Sequence, residues 1–134
     1  MIISMDTTTH NERTVILAED DQFISRAYVA GLQQAGFRVV PVYRGDEVVH
    51  AIEREHPDIV LLDLIMPFKT GFEILETLHT HPTAQRVPVF VFSSLAQDKD
   101  KDEAFRLGAK DYIEKSNVTL QEVVDKIQAY LGAG

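Results

Sequence analysis

The sequence predicts an α/β fold: a five-stranded parallel sheet, strand order 2-1-3-4-5, flanked by five helices. Three observations predict it. Short apolar runs alternate with helix-period segments five times, the pattern of a parallel sheet covered on both faces. Two of the runs, Val15-Ile16-Leu17-Ala18 and Ile59-Val60-Leu61-Leu62, are continuously apolar, as strands buried on both faces are. The second and fifth runs carry edge marks, a proline (Pro41) in one and dense charge (Lys110 to Glu114) in the other. Right-handed crossovers between strands so placed give the 2-1-3-4-5 order.

Composition sets the outer limits. The chain has 134 residues, 45% of them hydrophobic, which suits one domain with a real core and leaves little room for a second. Residues 1–12 are mostly polar and read as a flexible lead-in, with the domain over 13–134. A net charge of −8 argues against nucleic acid and against anionic membranes as partners, since both select basic surfaces. There is no cysteine, hence no disulfide framework and no thiolate chemistry. No apolar run approaches the roughly 20 residues that span a bilayer. The N-terminus lacks the basic start and apolar core of a secretory signal. The expectation is a soluble, cytoplasmic protein.

In order, the first strand over 15–18 ends in Glu19-Asp20-Asp21. Asp21 is placed to cap a helix over 22–35, with Ile24, Tyr28, Gly31, Leu32 and Ala35 on one face and Gly36 as its stop. The second strand covers 38–43. A helix over 45–55 follows, with Val48, Val49 and Ile52 inward, and His56-Pro57-Asp58 breaks it. The third strand, 59–62, ends in Asp63. After Met66-Pro67 a loop runs to Gly71, and a helix over 72–80 buries Phe72, Leu75 and Leu78. The fourth strand, 87–92, ends in Ser93-Ser94. A charged helix over 98–107 has a thin stripe of Ala104, Phe105 and Leu107. The fifth strand, 110–114, leads through Lys115-Ser116-Asn117 into a last helix over 120–131, whose stripe is Leu120, Val123, Val124, Ile127 and Leu131.

In a sheet of this order ligands bind at the carboxyl ends of strands one and three, where the winding reverses. The acidic triplet and Asp63 stand at those two ends, Ser93 and Lys115 at the ends of strands four and five. A single Asp after a strand reads as a loop cap, but four polar landmarks on one rim argue for a site. Glu19, Asp20 and Asp63, crowded without a counter-ion, raise one another's pKa values. Mg²⁺ would resolve this, since it takes oxygen ligands from one or two carboxylates, waters and a phosphate. Asp63 can then act as a carboxylate nucleophile toward a phosphoryl group. Such transfer needs mainly positioning and charge neutralisation. The Lys115 ammonium and the Ser93 hydroxyl can each meet a phosphoryl oxygen. Competing chemistries find no support. There is no glycine-rich phosphate loop. No second carboxylate stands two residues after Asp63, as an aspartate-based phosphohydrolase requires. The five histidines (His10, His50, His56, His79, His81) lack metal-ligand spacing, and His79 and His81 read as solvated surface residues.

These residues together resemble the receiver domain of two-component response regulators, of the chemotaxis-regulator-like kind, over 13–131. The matching features are Glu19-Asp20-Asp21, the stretch from Pro57 to Asp63 with Met66-Pro67 and Gly71, Ser93, and Asp111-Tyr112-Ile113 before Lys115. The resemblance implies a flavodoxin-like receiver fold with Asp63 as phosphoacceptor. It implies Mg²⁺ held directly by Asp20, Asp63 and the backbone carbonyl of Ile65, with Glu19 acting through a water. Lys115 and Ser93 would serve the chemistry, and Ser93 with Tyr112 would form the switch. Tyr112 on its own reads as a plain edge-strand aromatic. Phosphorylation would shift the surface of helix four, strand five and helix five between two arrangements. The implied partners are a sensor histidine kinase or histidine phosphotransfer protein and a downstream protein target that the sequence does not name. The chain would be no enzyme beyond its own phosphorylation and slow dephosphorylation. The exposed face of helices four and five is open to a homodimer or to a partner. The chain stops after the fifth helix, which suggests a stand-alone regulator; a receiver excised from a larger protein is the other possibility. A competing class is a receiver-shaped interaction module that works without phosphorylation.

Three departures from the family pattern carry expectations. Ser116 replaces the usual proline after the lysine. A non-proline cis bond costs about 2.5–4 kcal/mol, so Lys115–Ser116 is expected trans. Ile65 and Leu95, two residues after Asp63 and Ser93, cannot orient a hydrolytic water, which predicts slow self-dephosphorylation; alternatively both merely cover the loops. Thr70 stands where the family often has Asp, with no functional loss expected.

Overall fold

The computed structural model describes residues 12–132, so positions 1–11 of the expected lead-in lie outside the described residues. Five parallel strands, β1 (Thr14–Ala18), β2 (Arg38–Val42), β3 (Ile59–Leu62), β4 (Val89–Ser93) and β5 (Asp111–Glu114), pair in the order β2-β1-β3-β4-β5. Each is followed by a helix: α1 (Gln22–Gln34), α2 (Val48–Glu55), α3 (Gly71–His79), α4 (Asp98–Arg106) and α5 (Leu120–Leu131). The predicted topology is the observed one. Boundaries differ where proline or tight turns intervene. The expected start of the second helix is a separate 3-10 turn, Gly45–Glu47, and β4 begins only after Pro88.

Strand alternation sorts the core into two layers. Ile16, Ala18, Val60, Leu62 and Val91 pack with α2, α3 and α4 through Val48, Ile52, Leu75, Leu78 and Ala104. Val15, Leu17, Ile59, Leu61, Phe90 and Phe92 pack with α1 and α5 through Leu32, Val123, Val124 and Ile127. This two-sided burial is why the central strands read as unbroken apolar runs. The β2 edge carries a proline. Arg38 N–H donates to Arg13 O at 2.8 Å and Glu19 N–H donates to Val42 O at 3.0 Å, so alternate residues 38, 40 and 42 face β1. Pro41 therefore points its missing N–H outward and costs the ladder nothing.

The helix ends follow local chemistry. Asp21 accepts from Phe23 N–H and Ile24 N–H at 2.9 and 3.0 Å, the expected cap of α1. Gly36 takes φ +98 just beyond that helix. Thr70 with Glu73, and Thr119 with Glu122, form capping boxes on α3 and α5. Phe105 corrects the expected stripe of α4: it is 47% exposed, while Ala104 and Leu107 are buried. Neighbouring residues on a helix point about 100° apart, so a stripe this thin takes Ala104 and leaves Phe105 outside. Phe72 is only half-buried, and Ile74 joins Leu75 and Leu78 in the core instead. Among the described residues no peptide bond is cis, so Lys115–Ser116 is trans as expected, and no helix is long and apolar enough to cross a membrane.

Candidate functional site

Register brings the site together. Ala18 pairs with Leu62, so Glu19 and Asp63 leave the sheet side by side, with Asp63 N–H donating to Ala18 O at 3.0 Å. Ser93 pairs with Glu114, which puts Lys115 one residue beyond the last rung. Leu17, Leu61 and Ile113 face the α1/α5 layer. Residues two further on, Glu19, Asp63 and Lys115, fall on that same side, because side chains alternate along a strand. Ser93 and Tyr112 fall on the other.

The three residues on the first side form one cluster. Lys115 Nζ lies 2.5 Å from Glu19 Oε1 and 2.9 Å from Asp63 Oδ2. Ile65 N–H donates to Asp63 Oδ1 at 3.0 Å, and Asp21 N–H to Glu19 Oε2 at 3.0 Å. Glu19 and Asp63 are buried, whereas Asp20 is exposed at the mouth. Burial pushes the Glu19 carboxyl up, outweighing the lowering by Lys115 and by the Asp21 N–H. The expectation that crowded carboxylates raise one another holds only weakly here: Asp63 is the smallest influence on Glu19, because an ammonium stands between them. Burial works against the Lys115 charge, yet its two carboxylate partners raise its pKa overall. Lys115 Nζ also lies 5.1 Å from the centroid of the Phe92 ring, against which Tyr28 packs at 4.8 Å.

A hard divalent cation fits this donor set. Carboxylate oxygens of Glu19, Asp20 and Asp63 lie within 4.8 Å of one another. One lysine faces the two buried carboxylates, and Glu19 Oε1, though in ion-pair range of Lys115, has no partner in hydrogen-bond geometry.

The second side is a hydroxyl cluster. Ser93 is fully buried and its Oγ accepts from Leu95 N–H at 3.2 Å. Tyr112 O–H donates to the Leu95 carbonyl at 2.7 Å. Burial pushes the Tyr112 phenol up, the Asp100 charge adds to this, and the Ser93 hydroxyl opposes it. Ser93 thus bonds within its own loop rather than to the carboxylates.

The β3–α3 loop, which follows Asp63, is braced on both flanks. Gly71 lies where a Cβ would come 2.6 Å from Asp63 O and 2.5 Å from Leu64 Cα. Gly45 N–H donates to Pro67 O at 3.0 Å, and a Cβ there would come 1.8 Å from Lys69 O. Ile65 is half-exposed at the mouth and Leu95 half-buried. His79 is exposed, but His81 departs from the solvated reading: its Nε2 lies 2.9 Å from Glu53 Oε2, and its Nδ1 accepts from Ala84 N–H at 2.9 Å.

A parallel 2-1-3-4-5 sheet with an acidic cluster and a lysine at its winding reversal defines a flavodoxin-like α/β protein whose rim carboxylates could hold a cation. The chain belongs to the response regulator receiver domain family, whose profile matches residues 15–128. It is 32% identical over 120 residues to the response regulator GtcR of Aneurinibacillus migulanus, covering 89% of this chain and 48% of that protein. The chain spans about half the length of the curated relatives it matches. Among solved structures it is similar to the phosphorylated cyanobacterial phytochrome response regulator RcpA, at TM-score 0.78 and 29% identity, covering 90% of this chain and 94% of that one. It is also similar to the receiver domain of a sensor histidine kinase from Pseudomonas aeruginosa with a magnesium ion coordinated in the active site cleft. That match has TM-score 0.81 and 25% identity, covering 90% of this chain and 98% of that one.

Proposed function

We propose that this chain accepts a phosphoryl group on Asp63 from a phosphohistidine of a sensor histidine kinase or phosphotransfer protein in the cytoplasm. The signal leaves through the surface of α4, β5 and α5 toward a protein target. The observation that carries the reading is Lys115, whose ammonium bridges Glu19 and Asp63 at 2.5 and 2.9 Å. It comes from a third strand to the end of β3, where a carboxylate nucleophile would need it.

An Asp63 oxygen forms the new O–P bond as the donor N–P bond breaks; that bond's electron pair stays on the imidazole nitrogen, which takes up a proton. The Ile65 N–H fixes the Asp63 carboxylate from one side and Lys115 from the other. Lys115 also offers donors to the phosphoryl oxygens in a partly desolvated setting, where they count most. Asp20, Asp63 and the Ile65 carbonyl, with Glu19 through a water, would hold Mg²⁺, which when bound neutralises phosphoryl charge. The Ser93 hydroxyl, whose oxygen accepts from the Leu95 N–H, has a proton to offer a phosphoryl oxygen. Ser93 and Tyr112 both bond the backbone of Leu95, so a move by Ser93 disturbs the contact that holds Tyr112. Ile65 at the mouth has no polar group to orient a water, which supports a slow loss of the phosphoryl group.

Acetyl phosphate with Mg²⁺ tests the chemistry by intact mass. One added phosphoryl group is expected, absent in Asp63→Asn and absent in chelator. Wild-type protein that takes up nothing from acetyl phosphate or from a phosphotransfer protein would favour an interaction module independent of phosphorylation. Ile65→Asn is expected to shorten the phosphoryl lifetime several-fold; an unchanged lifetime would reduce Ile65 to a loop cover.

A further inference from the structure

One contact of Lys115 serves none of these roles. Its Nζ lies 5.1 Å from the centroid of Phe92, a ring only 2% exposed, and within the range of a cation–π attraction. Tyr28 of α1 packs on that ring, centroids 4.8 Å apart and planes tilted by 49°. Burial raises the Tyr28 phenol, and Lys115 and Glu19 act on it in opposite directions, so Tyr28 lies within the field of both charges. Lys115 therefore has two kinds of neighbour. Glu19 and Asp63 are the groups that a divalent cation and a phosphoryl group would engage. The aromatic face is neutral, and it attracts an ammonium without cancelling its charge.

We propose that Phe92 and Tyr28 are positioning residues: an aromatic floor that keeps the Lys115 ammonium at the rim once Glu19 and Asp63 are engaged elsewhere. Phe92 makes the contact and Tyr28 fixes the angle of its ring. The floor rests on the reading of Asp63 as phosphoacceptor.

The test compares Phe92→Leu, Tyr28→Leu and Tyr28→Phe with the wild type in acetyl phosphate and Mg²⁺. Phe92→Leu is expected to take up phosphoryl about tenfold more slowly, equivalent to about 1.4 kcal/mol, with its Mg²⁺ affinity unchanged. Tyr28→Leu slows uptake less, and Tyr28→Phe, which keeps the ring, recovers the rate. By NMR, the Lys115 ε-methylene protons are expected upfield, shifted by the Phe92 ring, and to stay so when Mg²⁺ is added. A folded Phe92→Leu with wild-type uptake overturns the proposal. So does a rate that falls only in step with Mg²⁺ affinity and thermal midpoint, the mark of a loosened core. If Phe92→Leu does not fold, equal rates in Tyr28→Leu and Tyr28→Phe overturn it. A wild type that takes up no phosphoryl group defeats the phosphoacceptor reading instead. The methylene shift with Mg²⁺ then still decides the floor, and its loss on adding Mg²⁺ overturns it.

Discussion

Lys115 meets Glu19 and Asp63 with 17% of its side chain exposed; Arg106 meets Glu103 at 2.6 Å with 66% exposed. The distances are alike, but the settings are not. Water screens the Arg106 pair, and holding two long side chains in one geometry costs about as much entropy as the attraction returns. At Lys115 one cation faces two buried anions. Removing those charges from water is expensive, and one carboxylate is in excess. A surface pair decorates a helix. The buried cluster holds a charge imbalance that a further cation would relieve, the property of a binding site rather than of a staple.

The largest test of this contrast is Lys115→Met, which leaves two buried carboxylates without a counter-charge. It is expected to cost about 3 kcal/mol in denaturant unfolding without divalent cations. A loss below about 1 kcal/mol would put Lys115 in the same class as Arg106.

A smaller effect is expected from pH. Burial raises the folded pKa of Glu19 above its ordinary value of 4.5, so the folded state binds that proton more tightly than the unfolded state does. Ionised Glu19 therefore destabilises the fold above its raised pKa and has no such effect below 4.5. Glu19→Gln does not titrate, keeps an acceptor for the Asp21 N–H, and gives up the ion pair with Lys115 at every pH. In chelator, the wild type is expected to lose stability relative to Glu19→Gln as pH climbs from below 4.5 to 7. A pH-independent difference would show that Lys115 fully compensates Glu19.

The smallest effect marks the other end of the contrast. Arg106→Ala is expected to leave the thermal midpoint unchanged within error, and a clear drop would mean that this surface pair is more than decoration.

Strand order and rim were legible in the sequence because each rests on a short-range signal. Unbroken apolar runs mark central strands, Pro41 marks an edge, and polar residues that end such runs mark the rim. What lay beyond reach depended on side chains meeting across elements. Nothing in the run from Val89 to Phe92 says that Phe92 lies against a lysine from the next strand. Nothing near Ser25 signals that it is buried with its hydroxyl unpartnered. The sequence supplied a cation for the crowded carboxylates from outside, whereas the chain already supplies one through Lys115. Phe105 misled because a helix period read over nine residues cannot resolve a stripe one residue wide.

Pro41 has a consequence away from the rim. An open outer strand invites other strands to add to it, and copies that meet edge to edge can zip into a continuous sheet. The missing amide on the outward side of β2 interrupts such a zipper after a single rung. Self-association through β2 is thereby disfavoured. A merged sheet is slow to come apart, so this proline guards the β2 edge against a persistent edge-to-edge association.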